Sequence, residues 1–154
     1  MSELLVIELQ DDALNRRLAE AIAGLEKPGA LMNAIAAKFQ ENVDLRFGSK
    51  TDPAGIPWQP LAESTLERKK GAGSILEWSG LMQASLTHNV APDGSWAEIG
   101  FGERYAGYHE TGSKDGKLPR RALLTADWQA GELGAEDRAD ILAELDAYLA
   151  GLFE

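Results

Sequence analysis

Apolar residues recur at helical spacing through the first third of the chain. Leu14, Leu18, Ile22 and Leu25 stand 4, 4 and 3 residues apart, the stripe of an amphipathic helix. Asp11-Asp12 precede them, and either aspartate can cap that helix by accepting from its unpaired first-turn N–H groups. Pro28-Gly29 breaks the pattern. Leu31, Ile35, Phe39, Val43 and Phe47 then follow at uniform spacings of 4, predicting a second helix of roughly four to five turns. Each helix has one apolar face, to be buried against the other or against a sheet. Ahead of both, Leu4-Leu5-Val6-Ile7-Glu8-Leu9 is a short β-prone run.

From Gly48 to Pro60 the periodicity stops, because Gly48, Pro53, Gly55, Pro57 and Pro60 leave no room for a regular element. Trp58 stands inside this stretch, either as an anchor pinning the loop to the core or as a docking plug. Leu61–Lys70 reads as a short helix whose Arg68-Lys69-Lys70 end suits the negative pole of the helix dipole. Ser79–Ser85 reads as one or two helical turns. Leu86, His88 and Val90 alternate with Thr87 and Asn89; Pro92-Asp93-Gly94-Ser95 supplies a turn, and Trp96–Phe101 returns. That is a hairpin signal, since Asp and Gly tolerate positive φ. Tyr105–Glu110 fits a helical turn or a bulged strand equally well. After a charged, glycine-bearing loop at Ser113–Lys117, a long C-terminal helix carries Ile141, Leu142, Leu145, Tyr148, Leu149, Leu152 and Phe153 on one side. The expected fold is α+β. A small antiparallel sheet containing the 86–101 hairpin, with the N-terminal run as a candidate further strand, is packed by the N-terminal helices and the C-terminal helix.

Composition narrows the function classes. The 154 residues suit one domain, 1–154. Fifteen Lys and Arg against 25 Asp and Glu give a formal charge of −10, a field that opposes general coating of nucleic acid. The chain has no cysteine, so disulfides, thiolate metal sites and cysteine nucleophiles are excluded. No apolar run approaches the roughly 20 residues of a membrane span, and the N-terminus lacks the basic region of a signal peptide. A soluble, cytoplasmic chain without membrane contact is expected. Charge is segregated along the sequence: Arg104–Arg121 holds five basic and two acidic residues, whereas Ala126–Glu154 holds eight acidic residues and only Arg138. Two solvated faces are one reading; a basic edge and an acidic edge able to join copies head to tail are the other.

No reactive constellation emerges. His88 and His109 are the only imidazoles, and neither has metal-ligand spacing; His109-Glu110-Thr111-Gly112-Ser113 lacks the second histidine of a zincin helix. His88 alternates with polar neighbours and reads as a sheet-surface histidine. Gly112-Ser113-Lys114-Asp115-Gly116-Lys117-Leu118 is one residue short of a phosphate loop and ends in Leu where a hydroxyl is needed. Gly100-Phe101-Gly102 fails the dinucleotide pattern at Tyr105, and no Gly-x-Ser-x-Gly elbow occurs. Neither catalysis, cofactor nor metal is expected. The tryptophans and tyrosines lack the basic interleaving of a base-stacking platform, leaving DNA contact only through the Lys114–Arg121 loop.

Several scattered pieces nevertheless stand in a definite order: Phe47, then Pro53-x-Gly55-x-x-Trp58-x-Pro60-Leu61, with Thr65 and Lys69 behind it. Ile75-Leu76-Glu77-Trp78-Ser79-Gly80-Leu81 follows. Ile99-Gly100, Tyr105-Ala106, His109-x-x-Gly112 and Pro119-x-Arg121 complete the series. This order resembles the phage virion morphogenesis family of Mu-like phages and prophages, grouped with tail completion proteins. One departure is Arg120-Arg121-Ala122-Leu123-Leu124, where the family usually has Ala-Arg-Pro and then an aromatic. The resemblance implies a non-enzymatic assembly protein at the head–tail junction of the virion. Related tail-terminator proteins form rings, often of six subunits. The implied partners are other copies of the chain, tail tube and head–tail connector proteins, with DNA passing through the lumen without specific binding.

A ring needs two different complementary surfaces per subunit, and negative charge in its lumen keeps passing DNA from adhering. The expected interaction residues are Trp58, Arg104, Tyr105, His109, Lys114, Lys117, Arg120 and Arg121. Arg121 is the favoured subunit contact, since a guanidinium can bind a carboxylate bidentately. Gly48–Pro60 and Ser113–Lys117 are expected as arms that order on docking. The alternative is a transient head-morphogenesis factor that leaves the finished particle.

Overall fold

The computed structural model describes residues 5–61, 80–103 and 105–151. In order these form α1 (Asp12–Ala23), α2 (Gly29–Ser49), a single turn α3 (Leu81–Ala84), β1 (Leu86–Val90), β2 (Ala97–Phe101), α4 (Ala106–Thr111) and α5 (Ala135–Gly151). The helix expected over Leu61–Lys70 and most of the Ile75–Leu81 motif lie outside the described residues, as do Arg104, Leu152 and Phe153.

Local chemistry sets the element ends. Asp11 caps α1, accepting from Leu14 N at 3.0 Å. α2 runs through the predicted stripe and stops at Lys50, a non-glycine residue in the left-handed region at φ 57°, whose N–H closes on Arg46 O at 2.9 Å. Glu136 and Asp137 occupy the first turn of α5, where the dipole favours anions. β1 and β2 pair antiparallel with Leu86 opposite Phe101 and Val90 opposite Ala97. Gly94 in their turn has φ 74°, and a Cβ there would stand 2.5 Å from Gly29 N and 2.8 Å from the Pro28 ring. Only glycine lets the hairpin turn pack on the α1–α2 junction.

α2 is the spine, packed against both α5 and the hairpin. One end of it joins Leu14, Leu133, Ile141 and Leu145 in a first apolar cluster. The other end joins Trp58, Met82, Leu86, Ala106 and Leu123 in a second. Phe39 touches both. Phe47 is fully buried, with Trp58 and Phe101 edge-on at ring separations of 6.4 and 6.1 Å, an arrangement that places positive ring edges on negative faces.

Three expectations need correction. The N-terminal run is extended, with alternating burial from Leu5 to Gln10, but is not a strand of the sheet. Its main chain is held instead at Gln10, whose N–H donates to Gly131 O at 3.0 Å. His88 is no sheet-surface histidine: its ring nitrogens pair with Gln40 and Asn33 on α2. The Gly48–Pro60 stretch is not a loose arm, because Trp58 N–H bonds Lys50 O at 2.8 Å and Asp52 accepts from Ala54 N and Ile56 N at 2.9 Å. Asx-type side chains closed a loop that glycine and proline counts alone made look open.

Candidate functional site

The basic segment Ser113–Arg121 sits on a short irregular stretch, 121–125, that belongs to neither sheet nor helix and is buried at four of its five residues. Buried main chain outside a ladder needs partners, and here side chains provide them. Glu110, on α4, is 3% exposed. Its carboxylate accepts from Leu123 N at 3.0 Å, Leu124 N at 2.9 Å, Thr125 N at 3.0 Å and the Thr125 hydroxyl. Arg120 closes the loop from outside, donating through Nε to Glu110 O and through Nη2 to Thr125 O, both at 2.8 Å, and lying 3.6 Å from Glu110 Oε2.

The carbonyls of the same stretch are served from the opposite side. Trp58 Nε1 donates to Ala122 O at 2.9 Å, and Arg46 Nη1 donates to Leu123 O at 2.8 Å. Arg46 Nη2 reaches Asp137 Oδ1 at 2.6 Å. Arg121 N–H donates to His109 O at 2.8 Å, while its side chain donates to Gln59 O at 2.9 Å and Pro60 O at 3.0 Å. Five residues of backbone therefore tie together α2, the Trp58 loop, α4 and α5. Ala122 and Leu123 are 1% and 2% exposed, and Leu123 belongs to the second apolar cluster.

On this base the Ser113–Leu118 loop closes on itself. Asp115 accepts from Ser113 Oγ at 2.7 Å and Lys117 N at 3.0 Å, and Ser113 N–H donates to Leu118 O at 2.9 Å. Those bonds hold the Asp115 carboxyl below the usual carboxylate range, the Ser113 hydroxyl being the largest cause. The loop is thus preformed rather than the expected arm that orders on docking, and it presents Lys114 and Lys117 to solvent. Tyr108 on α4 and Tyr105, the residue that precedes that helix, are also exposed.

The expected interaction residues divide accordingly. Lys114, Lys117 and Tyr105 are exposed; Arg120 and His109 are half-buried; Trp58 and Arg121 are buried. Trp58 takes the anchoring geometry. The Arg121 guanidinium, expected to face a neighbouring subunit, lies on two carbonyls of its own chain. His109 packs edge-on against Tyr105 at a ring separation of 6.3 Å. Its Nδ1 is buried without a hydrogen-bond partner. Burial, and then the nearby Arg121 charge, hold its pKa below the ordinary 6.5, so the ring is neutral at pH 7.

The sequence reading missed Glu110 and the Arg46–Asp137 pair. Asp137 carried a usable signal: it stands four residues before Ile141 on the α5 stripe, where a carboxylate calls for a buried partner. Glu110 carried none, since its donors lie 13 to 15 residues away.

Chemically, the arrangement organises charge and offers no reactive pair. The Glu110 carboxylate is engaged by four donors and so is no free base, and no hydroxyl within the described residues bonds His109. Among the described residues no group of three or more His, Cys, Asp or Glu could hold a metal ion, and no helix is long and apolar enough to cross a membrane. Comparison with curated proteins and with solved structures gives no match. A family model described as the phage virion morphogenesis family matches residues 9–150.

Proposed function

We infer that this chain, which belongs to the phage virion morphogenesis family, is a structural protein of tail completion and head–tail joining that assembles as a homo-oligomeric ring. The family match over residues 9–150 carries the reading; a part in building the phage particle follows from it directly. The ring is supported by the separation of charge. Lys114 and Lys117 project from a loop closed by its own hydrogen bonds. Glu132, Glu136 and Asp146 are exposed along or just before α5. Two unlike, complementary surfaces on one subunit are what a heterologous, ring-closing contact requires, and a preformed loop lowers the ordering entropy of docking. The partners in this reading are other copies of the chain, the tail tube and the head–tail connector, at the head–tail junction of the virion.

Sedimentation velocity and electron microscopy of the purified chain, alone and with tail tubes, test it. Rings are expected, and Lys114→Glu with Lys117→Glu should weaken them while Glu132→Lys with Glu136→Lys in the same chain restores them. A chain that stays monomeric and never sediments with tail tubes overturns the reading. Absence from purified particles by mass spectrometry overturns it in favour of a transient assembly factor.

A further inference from the structure

The outer edge of β2 carries no further strand among the described residues. Ala91 N–H donates to Trp96 O at 2.9 Å and Gly102 N–H to Ser85 O at 3.1 Å. With the register fixed, hydrogen-bonded pairs alternate between those two. Glu98 and Gly100 therefore turn their main-chain groups toward β1, and Ala97, Ile99 and Phe101 turn theirs outward. No hydrogen bond reaches these outward groups among the described residues. An unpaired edge of this kind is a template for another strand.

That edge opens on a groove of about 830 Å³ whose far wall is the extended Leu5–Leu9 segment. The segment is tied down away from β2 at both ends. Gln10 bonds Gly131 O, while a Cβ on Gly107 would stand 3.1 Å from Leu5 Cβ. Gly131 is itself at φ 68°, and a Cβ there would stand 2.2 Å from Glu8 O. The floor includes Leu14, Ile35, Phe39 and Leu133. Glu8 and Glu98 are exposed on its two walls, with Glu103 at one end, and none of the described lining residues is Lys, Arg or His.

The geometry points to a docking slot for an extended segment of a partner polypeptide, added as a strand beside β2, apolar at alternate positions and bearing Lys or Arg between them. Each part of that description answers a feature of the slot. The outward main-chain groups of Ala97, Ile99 and Phe101 call for a strand rather than a helix. Strand alternation sends every second side chain to the apolar floor, and the intervening ones meet Glu8 and Glu98, which select cations and repel phosphates. This chain's own β-prone run places Glu8 where a cation is wanted, which disfavours a second copy as occupant. The slot stands on its own geometry and does not depend on the ring.

Fluorescence anisotropy of labelled peptides with the purified full-length chain provides the test. A Lys-Val alternating peptide of about eight residues should bind at least about tenfold more tightly than a Glu-Val alternating peptide. It should show the same margin over a block peptide of four Lys followed by four Val. Ala97→Pro, which removes one outward N–H and leaves the β1 ladder intact, should weaken binding about tenfold. Glu8→Lys with Glu98→Lys should invert the charge preference. N-methylation of alternate residues of the Lys-Val peptide should abolish binding to the unmodified chain, whatever the proline variant does to folding. Equal binding of alternating and block peptides, or undiminished binding of the N-methylated peptide, overturns the proposal. So does an oligomer of the unmodified chain that Ala97→Pro dissolves, because the occupant would then be a second copy.

Discussion

Arg46 Nη2 stands 2.6 Å from Asp137 Oδ1 with the two side chains 7% and 0% exposed, and the same guanidinium donates to Leu123 O. The pair links α2 to α5 and to the stretch that carries the basic loop. Desolvation offsets most of the attraction in such a pair, yet stranding one member is expensive.

Arg46→Ala or Asp137→Ala should therefore lower stability by about 3–5 kcal/mol in urea unfolding. Arg46→Met combined with Asp137→Leu should be less harmful than either single change, because no charge is left unpaired. The remaining penalties are the Leu123 carbonyl without its donor, about 1–3 kcal/mol, and the loss of the Asn42 amide's bond to Asp137, its bond to Asp140 being kept. A double variant as unstable as the sum of the singles would show that the pair is not acting as an ion pair.

Glu110→Gln replaces an acceptor by an amide whose NH2 must face a donor, since every partner of the carboxylate is an N–H or O–H. A loss of at least about 2 kcal/mol is expected, from one or more stranded buried donors. Amide exchange would report it locally, with Leu123, Leu124 and Thr125 losing protection before the α2 amides do. Unchanged protection at those three residues would contradict the role assigned to the carboxylate.

How legible these features were follows from their range. The stripes of α1, α2 and α5, the Asp11 cap and the hairpin turn rest on residues within a few positions of one another, and the chain folds there as its spacing predicts. The extended Leu5–Leu9 segment was legible as conformation but not as placement, because joining a sheet depends on the distant Gly131 and Gly107 contacts. His88 alternates with polar residues as a surface position would; what makes it inward-facing is Asn33 and Gln40, 55 and 48 residues away. Arg121 suits a neighbouring carboxylate because its guanidinium can bind one bidentately, while the Gln59 and Pro60 carbonyls that hold it leave no trace in sequence.

Gly94 and Gly116 have nearly the same positive φ, 74° and 76°, in different surroundings. Around Gly116 nothing lies within 4 Å of an added Cβ, whereas at Gly94 the Pro28–Gly29 backbone does. Gly116→Ala should cost about 1 kcal/mol, the conformational penalty alone. Gly94→Ala should cost clearly more, because the turn must also move off the α1–α2 junction. Thermal unfolding of the two variants separates strain from clash, and equal shifts would place the Gly94 turn away from Pro28 in solution.

His109 sets an acid limb to stability. Its folded pKa lies below 6.5, through burial first and the Arg121 charge second, so between the folded value and 6.5 the unfolded chain binds more protons. Stability then rises with pH across that window. The contribution is fully present above pH 6.5 and is lost as pH falls toward the folded value, where the buried ring must charge beside a cation. Asp11, held low chiefly by its hydrogen bond from Arg138, acts in a separate window below 3.8, where its stabilising contribution disappears as it protonates. His109→Gln should flatten the stability profile just below pH 6.5 and leave the fall below pH 3.8 in place. A profile unchanged by that substitution would mean that His109 keeps its ordinary proton affinity in the folded chain.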